Sequence, residues 1–199
     1  MKIGCVIPAA GFSRRFGTAD KLTAELDGTA LVRKVCEAVV ASRVAVCLVV
    51  TQPAAVNVVT ALLGLPVSIV ENPKAALGMG TSIAAGVAAL DTSVSGAFVL
   101  PADMPGMTSE FLDQLIACFA SEGGRKIIVP VTPSGEQRNP VLWPAAHFEA
   151  LKALGSEGGK KLLDELREQV VQVPQSDASL FADVDTPEDF VRLLGGRVH

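Results

Sequence analysis

With 199 residues, 49% of them apolar and 19% charged, a formal net charge of −4 and a pI near 5.2, the chain suits one domain (1–199) that buries about 70% of its surface. Its acidic balance excludes a broad nucleic-acid-binding face. A mean hydropathy of +0.41 would suit a membrane protein only if the apolar residues were gathered. The richest region, 35–59, is interrupted by Glu37, Arg43, Gln52, Pro53 and Asn57, so no apolar run reaches the ~18 residues of a spanning helix.

In chain order, the first expected strand is 3–8. Its apolar part is too short and runs too directly into a glycine loop to read as a signal peptide, so a cytoplasmic protein is expected. Further short, nearly continuous apolar runs at 44–50, 67–70, 97–100 and 127–131 read as strands buried on both faces. Helical spacing lies between them: Leu31, Val32, Val35 and Val39; Val56, Val59 and Leu63; Ile83, Val87 and Leu90; Phe111, Leu112, Leu115 and Phe119. This alternation predicts an α/β fold, three layers with a mostly parallel sheet. After Pro130 the rhythm changes. "TPSGEQRNPVLWPAAHF" reads as a loop and edge-strand excursion, followed by helical patterns at 148–154 and 161–166, a short strand at 170–173, and a last helix opened by "DVDTPEDF".

Four separated cysteines (Cys5, Cys36, Cys47, Cys118) without C-x-x-C spacing read as buried reduced thiols. His147 and His199 are the only histidines, which argues against a histidine triad or zinc site. The chemistry concentrates in "IPAAGFSRRFGTADK" (7–21). Glycines there let the backbone approach an anion and form an N–H nest, and Arg14, Arg15 and Lys21 supply charge. The loop matches neither G-x-G-x-x-G nor G-x-x-x-x-G-K-[ST]. Asp103, at the carboxyl edge after "GAFVLPA", offers a hard carboxylate that could anchor a divalent cation, since Thr108 or Ser109 serves better as the following helix cap. In "GMGTSIAAG" (78–86) the helical period begins after Gly80. Gly78 and Gly80 would let a ligand approach the backbone closely, and Thr81 and Ser82 could cap the helix or hydrogen-bond that ligand. Trp143 and Phe148 read as packing or as the lining of a flat acceptor.

"AAGFSRRFG" with Lys21 resembles the A-A-G-x-S-x-R-[MF]-G…K signature of the MobA-like nucleotidyltransferases. "GMGTSIAAG", "PADMP" (101–105) and "RNPVLWP" (138–144) agree in order and spacing. "GSEGGKKLL" (155–163) and "DVDTPEDF" resemble motifs of the molybdenum cofactor cytidylyltransferase branch. Pro8 replaces a leucine, three residues rather than two separate Gly17 from Lys21, and Ser156 replaces an aspartate. The resemblance implies a Rossmann-like fold of the nucleotide-diphospho-sugar transferase type and a Mg²⁺- or Mn²⁺-dependent transferase that releases pyrophosphate. It implies a triphosphate on Ala9, Ala10, Gly11 and Ser13, with Arg15 on the β- and γ-phosphates and Lys21 nearer the α-phosphate. It puts the nucleoside near Gly78, Thr81 and Ser82, metal on Asp103 with Asp185 (or Asp183), and the acceptor near Arg138, Asn139 and Pro140. "AAG" rather than "AGG" goes with CTP as donor, a molybdopterin-type acceptor and a molybdenum hydroxylase as recipient. Other expectations compatible with the N-terminal half are a guanylyl or sugar-phosphate transferase and a non-enzymatic nucleotide-binding cofactor chaperone.

Overall fold

β1 (Ile3–Pro8) forms with the boundaries expected from its apolar run, in a computed structural model that describes residues 1–11, 21–184 and 189. Cys5 and Ile7 face one side and Val6 the other, each at 0% exposure, so the strand is covered on both faces, as continuous apolar sequence requires. β4 (Val46–Thr51), β5 (Ser68–Glu71), β6 (Gly96–Val99) and β7 (Ile127–Val131) follow within two residues of the predicted runs. Two elements between β1 and β4 went unforeseen: β2 (Glu25–Leu26) and β3 (Thr29–Ala30) make a small hairpin. Asp27 and Gly28 turn it with φ of 56° and 75°, and that Asp-Gly pair is the local signal for such a turn.

The helices lie where apolar spacing put them. α1 (Leu31–Ala41) buries Leu31, Val32, Val35, Cys36 and Val39. α2 (Val56–Ala61) follows β4 and α3 (Met79–Ala88) follows β5. α4 (Ser109–Ser121) is capped by Thr108, whose hydroxyl accepts the Phe111 amide at 3.2 Å. α1, α2 and α4 cover one face through Val35, Val39, Val58, Leu62 and Leu115. α3, α5 (Phe148–Lys152) and α6 (Lys160–Glu165) cover the other through Ile83, Val87, Leu151 and Leu163. Among the described residues no helix is long and apolar enough to cross a membrane.

With β8 (Val141–Pro144) and β9 (Val170–Pro174), seven strands form one sheet in the order β5-β4-β1-β6-β8-β7-β9. β8 corrects the edge-strand expectation. It is an interior strand, antiparallel to both β6 and β7, and Trp143 on it is 2% exposed. The prolines misled because they flank the ladder: Pro140 precedes β8 and Pro144 ends it, so Val141, Leu142 and Trp143 keep their N–H donors. α3 is the second correction. It starts at Met79 and takes Gly80 inside it. Of the expected closing helix only Asp189 is among the described residues, and it is helical.

The chain runs outward from β1 through β4 to β5, then returns to β6 on the other side of β1. The carboxyl ends of β1 and β6 therefore flank the point where strand order reverses, the place where open α/β sheets bind ligands.

Candidate active site

β1 delivers Ala9 and Ala10 to that point. Both are buried, at 4% and 5% exposure, and the Ala9 amide donates to the Val50 carbonyl at 2.7 Å, which fixes the first peptides of the loop. Gly11 is exposed at its start. Ser13, Arg14 and Arg15 lie outside the described residues. The chain re-enters at Lys21, first residue of a short 3₁₀ turn (Lys21–Thr23) whose Leu22 is buried. The Ala24 amide donates to the Lys21 carbonyl, and the Leu31 amide to Ala24, so the turn is tied to the start of α1.

From the other strand comes Asp103. The Leu100 amide donates to the Val6 carbonyl, extending the β1–β6 pairing beyond the strand end, while buried Met104 and Met107 anchor the turn that follows. Lys21 Nζ stands 2.6 Å from Asp103 Oδ2, with the side chains 12% and 22% exposed. A charge-assisted bond this short and this sheltered is stronger than a solvated surface pair. Two residues 82 positions apart thus meet at the switch point. The Val184 amide donates to the Asp103 carbonyl at 3.1 Å, which brings exposed Asp183 alongside. Asp185 lies outside the described residues.

The "GMGTS" segment sits differently from its expectation. A Cβ at Gly78, where φ is 131°, would strike the Ser156 carbonyl, and one at Gly80 would strike the carbonyls of Gly155 and Glu157. The close backbone approach these glycines permit is therefore made by the chain's own 155–157 segment, from the "GSEGG" motif. α3 has no side-chain cap, which corrects the capping expectation for Thr81 and Ser82; Thr81 Oγ1 donates back to the Gly78 carbonyl at 2.8 Å from inside the helix and remains partly exposed, whereas Ser82 is 3% exposed. Both hydroxyls accept from Asn72 Nδ2, at 2.9 and 3.0 Å. Asn72, itself 3% exposed, also accepts the Lys74 amide on Oδ1 at 2.9 Å. Sequence reasoning missed it. Its signal was an asparagine placed directly after a strand and before a proline, a position that favours side-chain bonding to nearby backbone.

On the other side of β6, "RNPVLWP" leads into β8. Arg138 is exposed and pairs with Glu136 at 2.8 Å, Asn139 is exposed, and Pro140 is buried. Asn139 opens onto an apolar slot with Met79, Pro101, Trp143 and Lys160 among its walls, Pro8 at the β1 end and Leu163 behind. Trp143 meets His147 edge-on at 6.3 Å and serves as core; only its margin reaches the slot. Phe148 packs half-buried on the same cluster.

The model of the MobA-like NTP transferase domain matches residues 5–173. The chain belongs to this family. Its fold is similar to that of a Mycobacterium tuberculosis Rv0371c homologue from Mycobacterium sp. strain JC1, at 26% identity over 98% of each chain with a TM-score of 0.82. It also resembles Rv0371c of Mycobacterium tuberculosis H37Rv in complex with manganese, at 22% identity, covering 98% of this chain and 99% of that one, TM-score 0.79. A third likeness is to CMP:2-keto-3-deoxy-manno-octonic acid synthetase complexed with CTP, at 13% identity over 98% of each chain, TM-score 0.75. The last two likenesses are of fold alone. No curated protein matches the chain.

As an NTP transferase domain, the chain brings a cation and a carboxylate together beside a strand-end loop. The donor chemistry fits a divalent metal. Asp103 offers hard carboxylate oxygen at a partly open edge, and a magnesium-type ion needs one or two carboxylates when phosphate oxygens and water supply the rest of its shell. Among the described residues no group of three or more His, Cys, Asp or Glu could hold a metal by itself.

Proposed function

We propose that this transferase moves the cytidylyl group of CTP onto a molybdopterin-type acceptor and releases pyrophosphate, with Mg²⁺ or Mn²⁺ as cofactor and a molybdenum hydroxylase receiving the product. The observation that carries the reading is the Lys21–Asp103 pair at the β1–β6 switch point. A phosphate oxygen of the acceptor attacks the α-phosphorus of CTP. One P–O bond forms while the bond from that phosphorus to the oxygen bridging to the β-phosphate breaks, and the electron pair leaves with pyrophosphate. No covalent enzyme intermediate is needed, so positioning and charge compensation carry the catalysis.

Ala9, Ala10, Gly11 and Ser13 line the triphosphate in this reading. Lys21 exchanges its contact with Asp103 for the α-phosphate, and Arg15 holds the β- and γ-phosphates as a bidentate fork. Asp103, with Asp183 or Asp185, would hold the metal ion, which supplies further neutralisation of triphosphate charge. Thr81 borders the nucleoside, Ser82 supports it through Asn72, and Arg138, Asn139 and Pro140 face the acceptor. The Ala10 methyl narrows the space available to a purine, a steric discrimination of ~1–3 kcal/mol. A manganese-bound and a CTP-bound protein of the same fold agree with the metal and the donor.

The test is pyrophosphate release from CTP, GTP, ATP and UTP, each with and without molybdopterin or a sugar phosphate. CTP is expected to exceed GTP by at least about tenfold in kcat/KM, or roughly 1.4 kcal/mol, and only with the pterin. GTP turnover equal to or above that of CTP overturns the donor. Turnover on a sugar phosphate alone overturns the acceptor, and nucleotide binding without any turnover overturns the enzyme.

A further inference from the structure

α2 (VNVVTA) has no charged side chain. Val58 on it and Leu62 just past its end seal one side into the core at 2% and 3% exposure, while Val56, Val59 and Leu63, at 67%, 36% and 67%, stay exposed on a neighbouring side. Val56 and Val59, spaced i, i+3, share a face of the helix, and Leu63 lies two residues beyond its end. Five residues after Leu63 the chain enters β5, the edge of the sheet, where Ile69 is 37% exposed. From Val44 to Val70 there is no charged residue. At the chain's 19% average, 27 residues would carry about five charges, and depletion of charge from an exposed apolar surface marks the centre of a protein interface. Charge returns at the border. Arg33 pairs with Glu37 at 2.8 Å and bonds the carbonyls of Ala61 and Leu63 at the end of α2, a neutralised polar rim.

The backbone of β5 says what would cover this face. The Asn72 amide donates to the Thr51 carbonyl of β4 at 2.7 Å, so by alternation Ser68 and Val70 bond inward while Ile69 and Glu71 turn their N–H and C=O to the open edge. An edge with outward groups at alternate residues is self-complementary when a copy of it runs antiparallel. Only registers centred on a residue align outward groups with outward groups. A two-fold at Glu71 opposes two carboxylates, and one at Val70 leaves them about 7 Å apart. At Ile69 the two glutamates lie four residues apart, about 13 Å, beyond the ~8 Å Debye length of physiological salt. Ile69 then faces Ile69 and Glu71 faces Val67.

We propose that this face joins two copies of the chain in an isologous dimer, with β5 pairing antiparallel to β5 about Ile69 and Val56, Val59 and Leu63 of the two copies packed together. The catalytic ends of β1 and β6 stay free in both protomers. Sedimentation equilibrium of the full chain between about 1 and 100 µM should give twice 20.6 kDa. Ile69→Lys, which sets two ammonium groups against each other at the two-fold, and Val59→Glu should each weaken association at least tenfold without changing the circular dichroism. Leu77→Glu alters an equally exposed apolar residue off the face and should leave the mass unchanged. Because Ile69 meets its own copy, mixing Ile69→Lys with Ile69→Glu should restore a dimer that neither forms alone. A wild type that stays at 20.6 kDa at 100 µM, an undiminished Ile69→Lys dimer, or no association in the mixture overturns the proposal.

Discussion

At the scale of single residues, what was legible depended on whether chemistry and place coincide in the chain. Asp103 could be read because a carboxylate follows an apolar strand, and Lys21 because it closes a glycine loop; that they stand 2.6 Å apart needed the fold. Asn72 was hidden, since its role consists of bonds to hydroxyls nine and ten positions onward. If Lys21 and Asp103 act on the triphosphate, Asp103→Asn should keep the fold and lose most turnover at saturating Mg²⁺. Lys21→Ala and Arg15→Ala should each cost roughly 10²–10³ in rate, the size of losing one preorganised donor. Arg14→Ala should cost far less. Steady-state kinetics on variants with wild-type circular dichroism decide this, and equal losses for Arg14 and Arg15 would mean that loop charge alone matters.

At the scale of elements, periodicity located strands and helices to within a few residues, because burial on both faces leaves a continuous signature. It could not show which remote segments touch. "GMGTS" and "GSEGG" looked like two independent glycine loops, yet the bare glycines of the first, Gly78 and Gly80, let the backbone of the second come close. Gly80 lies inside α3 against the carbonyls of Gly155 and Glu157, whereas a Cβ at Gly155 meets nothing within 4 Å. Backbone cannot move aside as a side-chain tip does, so Gly80→Ala should cost about 1–3 kcal/mol in urea unfolding. Gly155→Ala should fall within about 0.5 kcal/mol of wild type. Should the two variants prove alike, the 155–157 segment is not seated on α3 in solution.

At the scale of the whole molecule, alternation of strand and helix was enough for the layers. The antiparallel insertion of β8 was not legible, because flanking prolines look the same beside an edge strand and at the ends of an interior one. Of the four cysteines expected as buried thiols, Cys118 on α4 is only partly buried, whereas the common environment of the other three has a consequence for stability. Cys5 and Cys47 are register partners on β1 and β4, and all three of Cys5, Cys36 and Cys47 are free and buried. Burial pushes the Cys5 thiol well above the usual range, and its neighbour Cys47 adds to this. A hydrogen bond with Cys47, then burial, raise Cys36 in the same direction. A raised folded-state pKa gives stability that is fully present below the unfolded value of about 8.5 and lost as pH climbs, since the unfolded chain releases protons that the folded one keeps. Each such thiol contributes a little over 1 kcal/mol per pH unit above that point. Two of them should lower the unfolding free energy by on the order of 2–3 kcal/mol between pH 7.5 and 9.5. Urea unfolding under reducing conditions at those pH values checks this, with Cys5→Ala/Cys36→Ala as comparison. The double variant is less stable at neutral pH because it leaves cavities, but its stability should fall much less with pH. A decline as steep as that of wild type would show that groups other than these thiols govern the alkaline limb.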